Sequence, residues 1–99
     1  MMIFRLSDHG AVFSTRPKGA SLRKLLLAQR SAGEEIHISF DKVQSVSYSF
    51  ADEFLGPLVL GPDPVKLEDV PPAVGRIIEG TLRRRGLRTS QVEKLSAAA

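Results

Sequence analysis

The sequence has 99 residues, a length that suits one domain with one modest hydrophobic core. It contains no cysteine, which excludes disulfides, thiolate chemistry and zinc–thiolate sites, and its two histidines, His9 and His37, lie too far apart to suggest a metal motif. The net charge of +3 is slight, and no apolar run approaches the ~20 residues that cross a bilayer. The first residues, MMIFRLSDHG, lack the basic and long apolar segments of a secretory signal. We therefore expect a cytoplasmic protein with no membrane association.

The N-terminal third predicts two strands and a helix. The apolar segments MIFRL at 2–6 and AVFS at 11–14 are typical of strands, and the turn signal SDHG between them favours a hairpin. Leucines then recur at helical spacing from Ser21, and Gly33 is expected to end that helix.

The segment EIHISF at 35–40 alternates large apolar side chains with polar ones, which predicts a strand with two different faces. The face expected to be buried consists of Ile36, Ile38 and Phe40. The face expected to meet water or a partner consists of Glu35, His37 and Ser39.

The rest of the chain predicts two helices around one strand. A helical stripe begins at Ser49, and Pro57 should kink or end that helix because proline cannot donate a backbone hydrogen bond. VKLE at 65–68 is typical of a short strand. A helix introduced by Pro71 and Pro72 should end at Gly86, in a left-handed cap. The stripes place four residues in the core: Phe50, Phe54, Ile77 and Ile78.

The predicted order is strand, strand, helix, strand, helix, strand, helix. This alternation implies an α/β fold, with a mixed sheet of about four strands and helices mainly on one face. We assign residues 1–86 to a single domain and residues 87–99 to a C-terminal tail, which either forms a short helix from Ser90 or frays.

Two stretches resemble the STAS-like domain family of unknown function. They are VFSTR at 12–16, which precedes the first helix, and IHISFDKVQSVSYSFADE at 36–53. Arg16 matches an arginine that the family shows before that helix, and FADE at 50–53 matches its typical helix opening. FADE is the most specific part of a similarity that runs over roughly residues 2–82.

The end of the central strand both matches the family and departs from it. Phe40 and Val43 match the Asp-Phe-x-Gly-Val pattern of the family. Ser39, however, stands where the family usually has aspartate, and Lys42 stands where it usually has glycine.

The resemblance implies a fold related to that of the bacterial anti-sigma-factor antagonists, small proteins that bind a kinase-like anti-sigma factor. It implies a non-catalytic, regulatory protein-interaction module whose partner is an anti-sigma or histidine-kinase-like ATPase. The resemblance makes six residues candidates for partner binding or regulation: Arg16, Ser47, Tyr48, Ser49, Asp52 and Glu53.

Ser49 has two interpretations. As an N-cap, its hydroxyl would accept a hydrogen bond from the backbone of Ala51 or Asp52, with Asp52 reaching back in a capping-box manner. Loss of that cap in Ser49→Ala would cost about 1 kcal/mol. As a phosphoacceptor, Ser49 would correspond to the serine of Asp-Ser-Ser-Gly in the antagonists, but Asp52 and Glu53 would repel the phosphate. The cap is favoured, and Ser47 is the weaker phosphoacceptor candidate.

Catalysis has little support in the sequence. No phosphate-binding glycine loop or nucleophile motif is present. Asp52 and Glu53 point about 100° apart on a helix, and carboxylates in a first turn are explained by the helix dipole. We expect no cofactor and no metal.

Nucleic-acid binding is the alternative function. It would use the basic cluster Arg83, Arg84, Arg85 and Arg88. Three of these arginines fall in the last turn of a predicted helix, where the helix dipole stabilises positive charge. Glu79 stands four residues before Arg83, a spacing that favours an ion pair. A solvated helix end is therefore favoured over a phosphate-binding patch, and a protein partner over nucleic acid. A homo-oligomer is compatible with the sequence.

Overall fold

The computed structural model describes residues 1–86, which form three α-helices and five β-strands. The strands are β1 (Met2–Arg5), β2 (Val12–Phe13), β3 (Ile36–Ser39), β4 (Ser45–Val46) and β5 (Val65–Glu68). The helices are α1 (Arg16–Gln29), α2 (Tyr48–Leu60) and α3 (Pro72–Arg84), and a 3₁₀ helix, Leu6–His9, follows β1. The predicted tail, 87–99, lies outside the described residues. Within the described part, no helix is long and apolar enough to span a membrane.

The strands form two parallel sheets rather than one mixed sheet of about four strands. One sheet has the order β1-β3-β5, and β2 pairs with β4 in the other. The predicted hairpin is wrong, because β1 and β2 each pair in parallel with a later strand: Met2 lies opposite Ile36, and Val12 opposite Ser45. Parallel pairs need a long crossover. Helix α1 supplies it, whereas the 3₁₀ helix separates β1 from β2.

Strand β3 is buried on both faces. The apolar face was predicted correctly, because Ile36, Ile38 and Phe40 are fully buried. The prediction of a solvent-facing polar side is wrong for His37 and Ser39, which are also buried. The reason is the central position of β3, which places side chains of β1 and β5 in register on both sides of each residue.

Helix α1 begins five residues earlier than its leucine pattern indicates. The Thr15 side chain caps it by accepting a hydrogen bond from the Lys18 N–H at 3.3 Å. Pro17 lies in the first turn, where its missing N–H would have no intrahelical partner in any case. The helix ends at Gln29, before the turn in which Gly33 adopts a φ of 78°.

Helix α2 continues past Pro57 to Leu60, so of the two expected effects of the proline, a kink or the end of the helix, the second is wrong. Proline cannot donate to the carbonyl four residues earlier, which belongs to Glu53. The Arg23 guanidinium of α1 donates to that same carbonyl, and it also pairs with the Glu53 carboxylate at 2.8 Å. A side chain from a neighbouring helix thus satisfies the acceptor that Pro57 leaves free.

Four phenylalanines form a continuous aromatic chain through the core. Ring centroids are 5.0 Å apart for Phe13 and Phe50, 5.4 Å for Phe50 and Phe54, and 6.2 Å for Phe54 and Phe4. Of the four residues that the helical stripes place in the core, Phe50, Phe54 and Ile78 are buried. The fourth, Ile77, is only partly buried, since it borders an open groove beside β4.

The turn at Lys42 is the position where the family usually has glycine. Lys42 has a φ of 65°, in a turn closed by a hydrogen bond of 3.0 Å from the Val43 N–H to the Phe40 carbonyl. Glycine adopts this left-handed conformation without the steric penalty that a β-carbon introduces. The turn therefore has the backbone of a glycine position, although lysine occupies it.

Candidate functional site

Ser47, not Ser49, is the N-cap of α2. Its hydroxyl accepts a hydrogen bond from the Phe50 N–H at 3.0 Å and donates one to the Ser14 carbonyl at 2.9 Å. Its backbone N–H donates to the Phe13 carbonyl at 2.9 Å. The predicted cap at Ser49 is wrong, because Ser49 is already the second residue of the helix. Ser47 thus ties the start of α2 to β2.

We expect Ser47→Ala to lower the free energy of unfolding by about 1 kcal/mol, because an N–H of the first turn loses its acceptor. Ser49→Ala, the matched control two residues after the cap, should change it by less than about 0.5 kcal/mol. Urea unfolding of both variants measures the difference. A larger loss for Ser49→Ala than for Ser47→Ala would contradict this assignment of the cap.

Asp52 joins the three helices. Its carboxylate accepts from Arg16, which begins α1, at 2.7 Å, and from Arg85, which follows α3, at 2.6 Å. Arg85 also donates to the Asp52 carbonyl at 3.1 Å, and its guanidinium lies where a β-carbon on Gly56 would be. Asp52 is the fifth residue of α2, so the predicted roles in a capping box and in the first turn are both wrong. These hydrogen bonds, Arg16 first and then Arg85, hold the pKa of Asp52 below its ordinary value.

This lowered pKa predicts a pH dependence of stability. A carboxyl whose pKa is lower in the folded state makes its full contribution to folding stability when the pH is above its unfolded-state pKa. That contribution is lost as the pH falls through the folded-state pKa. Asp52→Asn should therefore be less stable than the wild type at neutral pH, and the gap should narrow on acidification below the ordinary range of aspartate. Urea unfolding of both proteins across that range measures the gap. A gap independent of pH would show that the two arginines do not act on the Asp52 charge.

An open cleft with a volume of about 260 Å³ lies between the start of α2 and the end of α3. Its lining consists of Arg16, Tyr48, Ser49, Asp52, Thr81, Arg84 and Arg85, and we call it the arginine cleft. Four of these residues, Arg16, Tyr48, Ser49 and Asp52, are candidates for partner binding according to the resemblance. Two more, Arg84 and Arg85, belong to the basic cluster of the nucleic-acid alternative. Ser49 makes no side-chain hydrogen bond within residues 1–86, so its hydroxyl is available in the cleft.

The remaining candidates lie outside the lining of the cleft. Ser47 is the cap described above, and Glu53 pairs with Arg23 between α1 and α2. Arg83 contacts Glu79 at 3.9 Å, which is the ion pair expected from their spacing. Arg88 falls outside the described residues.

Tyr48 and Arg84 form the wall of the cleft. The Arg84 guanidinium carbon lies 4.5 Å from the centroid of the Tyr48 ring, within the range of a cation–π contact. The ring packs against α3 at Gly80, where a β-carbon would come within 3.2 Å of it. Thr81, which no sequence pattern singled out, also lines the cleft, and its buried hydroxyl donates to the Ile77 carbonyl at 2.8 Å. The sequence carries no signal for this wall, because it depends on how α2 packs against α3.

A second hollow, of about 500 Å³, meets the cleft at Tyr48. Its lining combines the apolar side chains of Val46, Ala73, Val74 and Ile77 and the Tyr48 ring with Gln44, Ser45 and Arg76, and we call it the apolar groove. Tyr48 is 42% exposed and borders both hollows. A charged cleft and an apolar groove thus share one aromatic side chain.

No group of three or more histidine and carboxylate side chains within residues 1–86 could hold a metal ion. Two carboxylates flank His37, whose ring nitrogens lie 2.5 Å from Glu35 and 3.3 Å from Glu68. Lys66 lies 3.8 Å from the same Glu35 carboxylate, so these acids are part of a small ionic network on the sheet.

Comparison with known proteins identifies a family for the central segment. Residues 18–61 match the model of a family described as a STAS-like domain of unknown function. The segment contains α1, β3, β4 and α2, and it includes FADE at 50–53. The resemblance inferred from the sequence is confirmed over this segment. No curated protein and no solved structure matches the chain.

Proposed function

We propose, from the match of residues 18–61 to the STAS-like family, that this chain is a non-catalytic, regulatory module that binds another protein. The proposed partner class is an anti-sigma or histidine-kinase-like ATPase, and the proposed setting is the bacterial cytoplasm. Both follow from the resemblance to bacterial anti-sigma-factor antagonists. The observation that carries the proposal is the convergence of Arg16, Tyr48, Ser49 and Asp52 on one open cleft at the start of α2.

The surface around this cleft has the composition of a docking site. Tyrosine and arginine are enriched among the residues that dominate binding energy at protein interfaces. Here a half-exposed Tyr48 lies between the arginine cleft and the apolar groove. Ser47 anchors the start of α2 to β2, and Asp52 ties α2 to both neighbouring helices. The surface is therefore held in one arrangement before a partner arrives, which reduces the entropy lost on binding.

The alternative, nucleic-acid binding, has weaker support from the same residues. Two of the three arginines at the end of α3 already contact carboxylates, Arg83 with Glu79 and Arg85 with Asp52. Such pairs neutralise charges that phosphate binding would need, since affinity for nucleic acid grows with the number of free cations that contact phosphates.

Ser49 is the residue of this surface through which phosphorylation could regulate the partner. Its hydroxyl, which makes no hydrogen bond to the described residues, lies in the cleft with Arg16, Arg84 and Arg85, whereas the Ser47 hydroxyl is engaged in two hydrogen bonds. A phosphate on Ser49 would face these arginines as well as Asp52, so attraction and repulsion would act together. Mass spectrometry of the protein isolated from its host would detect phosphoserine at this position.

Site-specific photo-crosslinking in the host cell tests the proposal. A photoreactive amino acid replaces Tyr48 in one variant and Arg5, an exposed residue of β1 outside the cleft, in the control. We expect a discrete protein adduct at position 48 and none at position 5. An ATPase in that adduct would support the proposed partner class, and a protein of another class would remove that class but keep the module. Equal adducts at both positions, or a nuclease-sensitive adduct at position 48, would overturn the proposal.

A further inference from the structure

We propose that the arginine cleft binds an acidic segment of the protein partner, with an apolar side chain of that segment in the apolar groove. This inference rests on the proposed function and names the chemistry of the partner. The cleft contains three guanidinium groups, on Arg16, Arg84 and Arg85, against the single carboxylate of Asp52, so two positive charges are in excess.

Arg84 accounts for one of these charges. Among residues 1–86 it makes no ion pair, and its described contact is with the face of the Tyr48 ring. A guanidinium stacked on an aromatic ring still has its N–H groups along its edge, where they can donate to a carboxylate in a bidentate arrangement. Because the Tyr48 ring already contacts the guanidinium, less rotamer freedom would be lost when a carboxylate binds than for an arginine without such a contact.

Arg16 accounts for the second charge. It uses one terminal nitrogen to contact Asp52, and its side chain remains 53% exposed. Its other N–H groups are therefore accessible from solvent. The free Ser49 hydroxyl adds an uncharged donor to the same lining. Arg85, in contrast, donates to both the side chain and the backbone of Asp52 and is 29% exposed, so it mainly supports the cleft.

The apolar groove favours a peptide over other anions. It continues from the cleft at Tyr48 and is bordered by Val46, Val74 and Ile77. A peptide with carboxylates beside an apolar side chain would complement both hollows at once. A nucleic-acid backbone or a free phosphate could contact Arg76 as well as the arginines of the cleft, but it would leave the apolar side chains of the groove uncovered.

Fluorescence anisotropy with the full chain tests this chemistry. The probes are a labelled short peptide of alternating glutamate and leucine, the same peptide with glutamine in place of glutamate, and a single-stranded oligonucleotide of equal charge. We expect the glutamate peptide to bind most tightly, with an affinity that falls as salt rises. Arg84→Gln should weaken it about tenfold, as expected for the loss of a charge-assisted hydrogen bond. Arg5→Gln, which makes the same charge change outside the cleft, should have less than about a twofold effect.

Two controls keep the result interpretable. Arg84→Gln loses the contact with the Tyr48 ring but no ion pair within residues 1–86, so its urea midpoint should fall only slightly and the protein should stay folded in the binding buffer. Arg84→Lys retains the charge but not the planar fork, and it should restore only part of the affinity. Equal binding of the glutamate and glutamine peptides, or equal losses for Arg84→Gln and Arg5→Gln, would overturn the inference. Tighter binding of the oligonucleotide through Arg84 would overturn it in favour of nucleic acid.

The crosslinking experiment tests the proposed function and the anisotropy experiment tests the acidic segment, so either proposal can be refuted without the other. A protein adduct at position 48 without acidic-peptide binding would leave the interaction module standing and refute the acidic segment. Peptide binding that depends on Arg84, without any protein adduct at position 48, would support the chemistry of the cleft and refute the proposed function.

Discussion

Phe54→Ala is expected to lower the free energy of unfolding by about 3–5 kcal/mol, the range for removing a buried aromatic ring. Phe54 is fully buried, and its ring lies 5.4 Å from that of Phe50 and 6.2 Å from that of Phe4. The three rings belong to α2 and β1, so the cavity would open where the helix packs on the sheet. Because small domains are stable by only about 5–15 kcal/mol, a loss of this size threatens folding at physiological temperature.

Urea unfolding of Phe54→Ala measures the effect, with Leu60→Ala as the control. Leu60 ends the same helix but is 58% exposed, so its truncation should change stability by less than about 0.5 kcal/mol. A loss below about 1 kcal/mol for Phe54→Ala would mean that α2 is peripheral to the core, contrary to the described packing.

Gly19→Ala is expected to destabilise the protein by about 1–3 kcal/mol, the range for overpacking a tight contact. A β-carbon on Gly19 would lie 3.0 Å from the Phe50 carbonyl oxygen, 3.2 Å from the Phe54 nitrogen and 3.2 Å from the β-carbon of Glu53. All three atoms belong to the rigid part of α2 rather than to the end of a flexible side chain. The helices would have to move apart, because α1 crosses α2 at this glycine.

Gly75→Ala is a closely matched control for Gly19→Ala. Both glycines are the fourth residue of their helices, and both helices have proline in the first turn. A β-carbon on Gly75 would meet only Val70, at an ordinary 3.5 Å. Gly75→Ala should therefore stabilise the protein by up to about 1 kcal/mol through helix propensity. Equal and favourable effects of both substitutions, measured by thermal and urea unfolding, would show that α1 and α2 have room to separate.

The candidate site was only partly predictable. The resemblance located Arg16 and the start of α2, and residues 18–61 match the family. Within α2, however, the helical stripe that begins at Ser49 indicated the wrong cap, because the stripe marks where the apolar side chains begin and the helical backbone already begins at Tyr48, after Ser47. The choice depends on β2 and the residue after it, since the Ser47 N–H donates to the Phe13 carbonyl and its hydroxyl donates to the Ser14 carbonyl. The contribution of Arg84 depends on packing against Tyr48, which no local pattern encodes.

Elements with local causes were determined by the sequence alone. The strand at 65–68 and the helix introduced by Pro72 lie where turn residues and periodicity predicted them. Gly86 has the left-handed φ of 81° expected after a helix, and its N–H bonds to the Arg83 carbonyl at 2.9 Å. Proline, glycine and the spacing of apolar side chains act within a few residues, so they can be recognised without knowing the rest of the fold.

Only the tertiary structure decided the features that depend on distant residues. Strand β4 has two residues, too few for a pattern, and exists because β2 lies beside it. His37 is buried because β3 is central, although its alternation with isoleucines indicates exposure. Helix α2 passes Pro57 because Arg23 of another helix takes the carbonyl that the proline leaves unpaired. In each case the deciding hydrogen bond or contact joins residues far apart in the chain, and the free energy that it contributes appears only once the elements pack together.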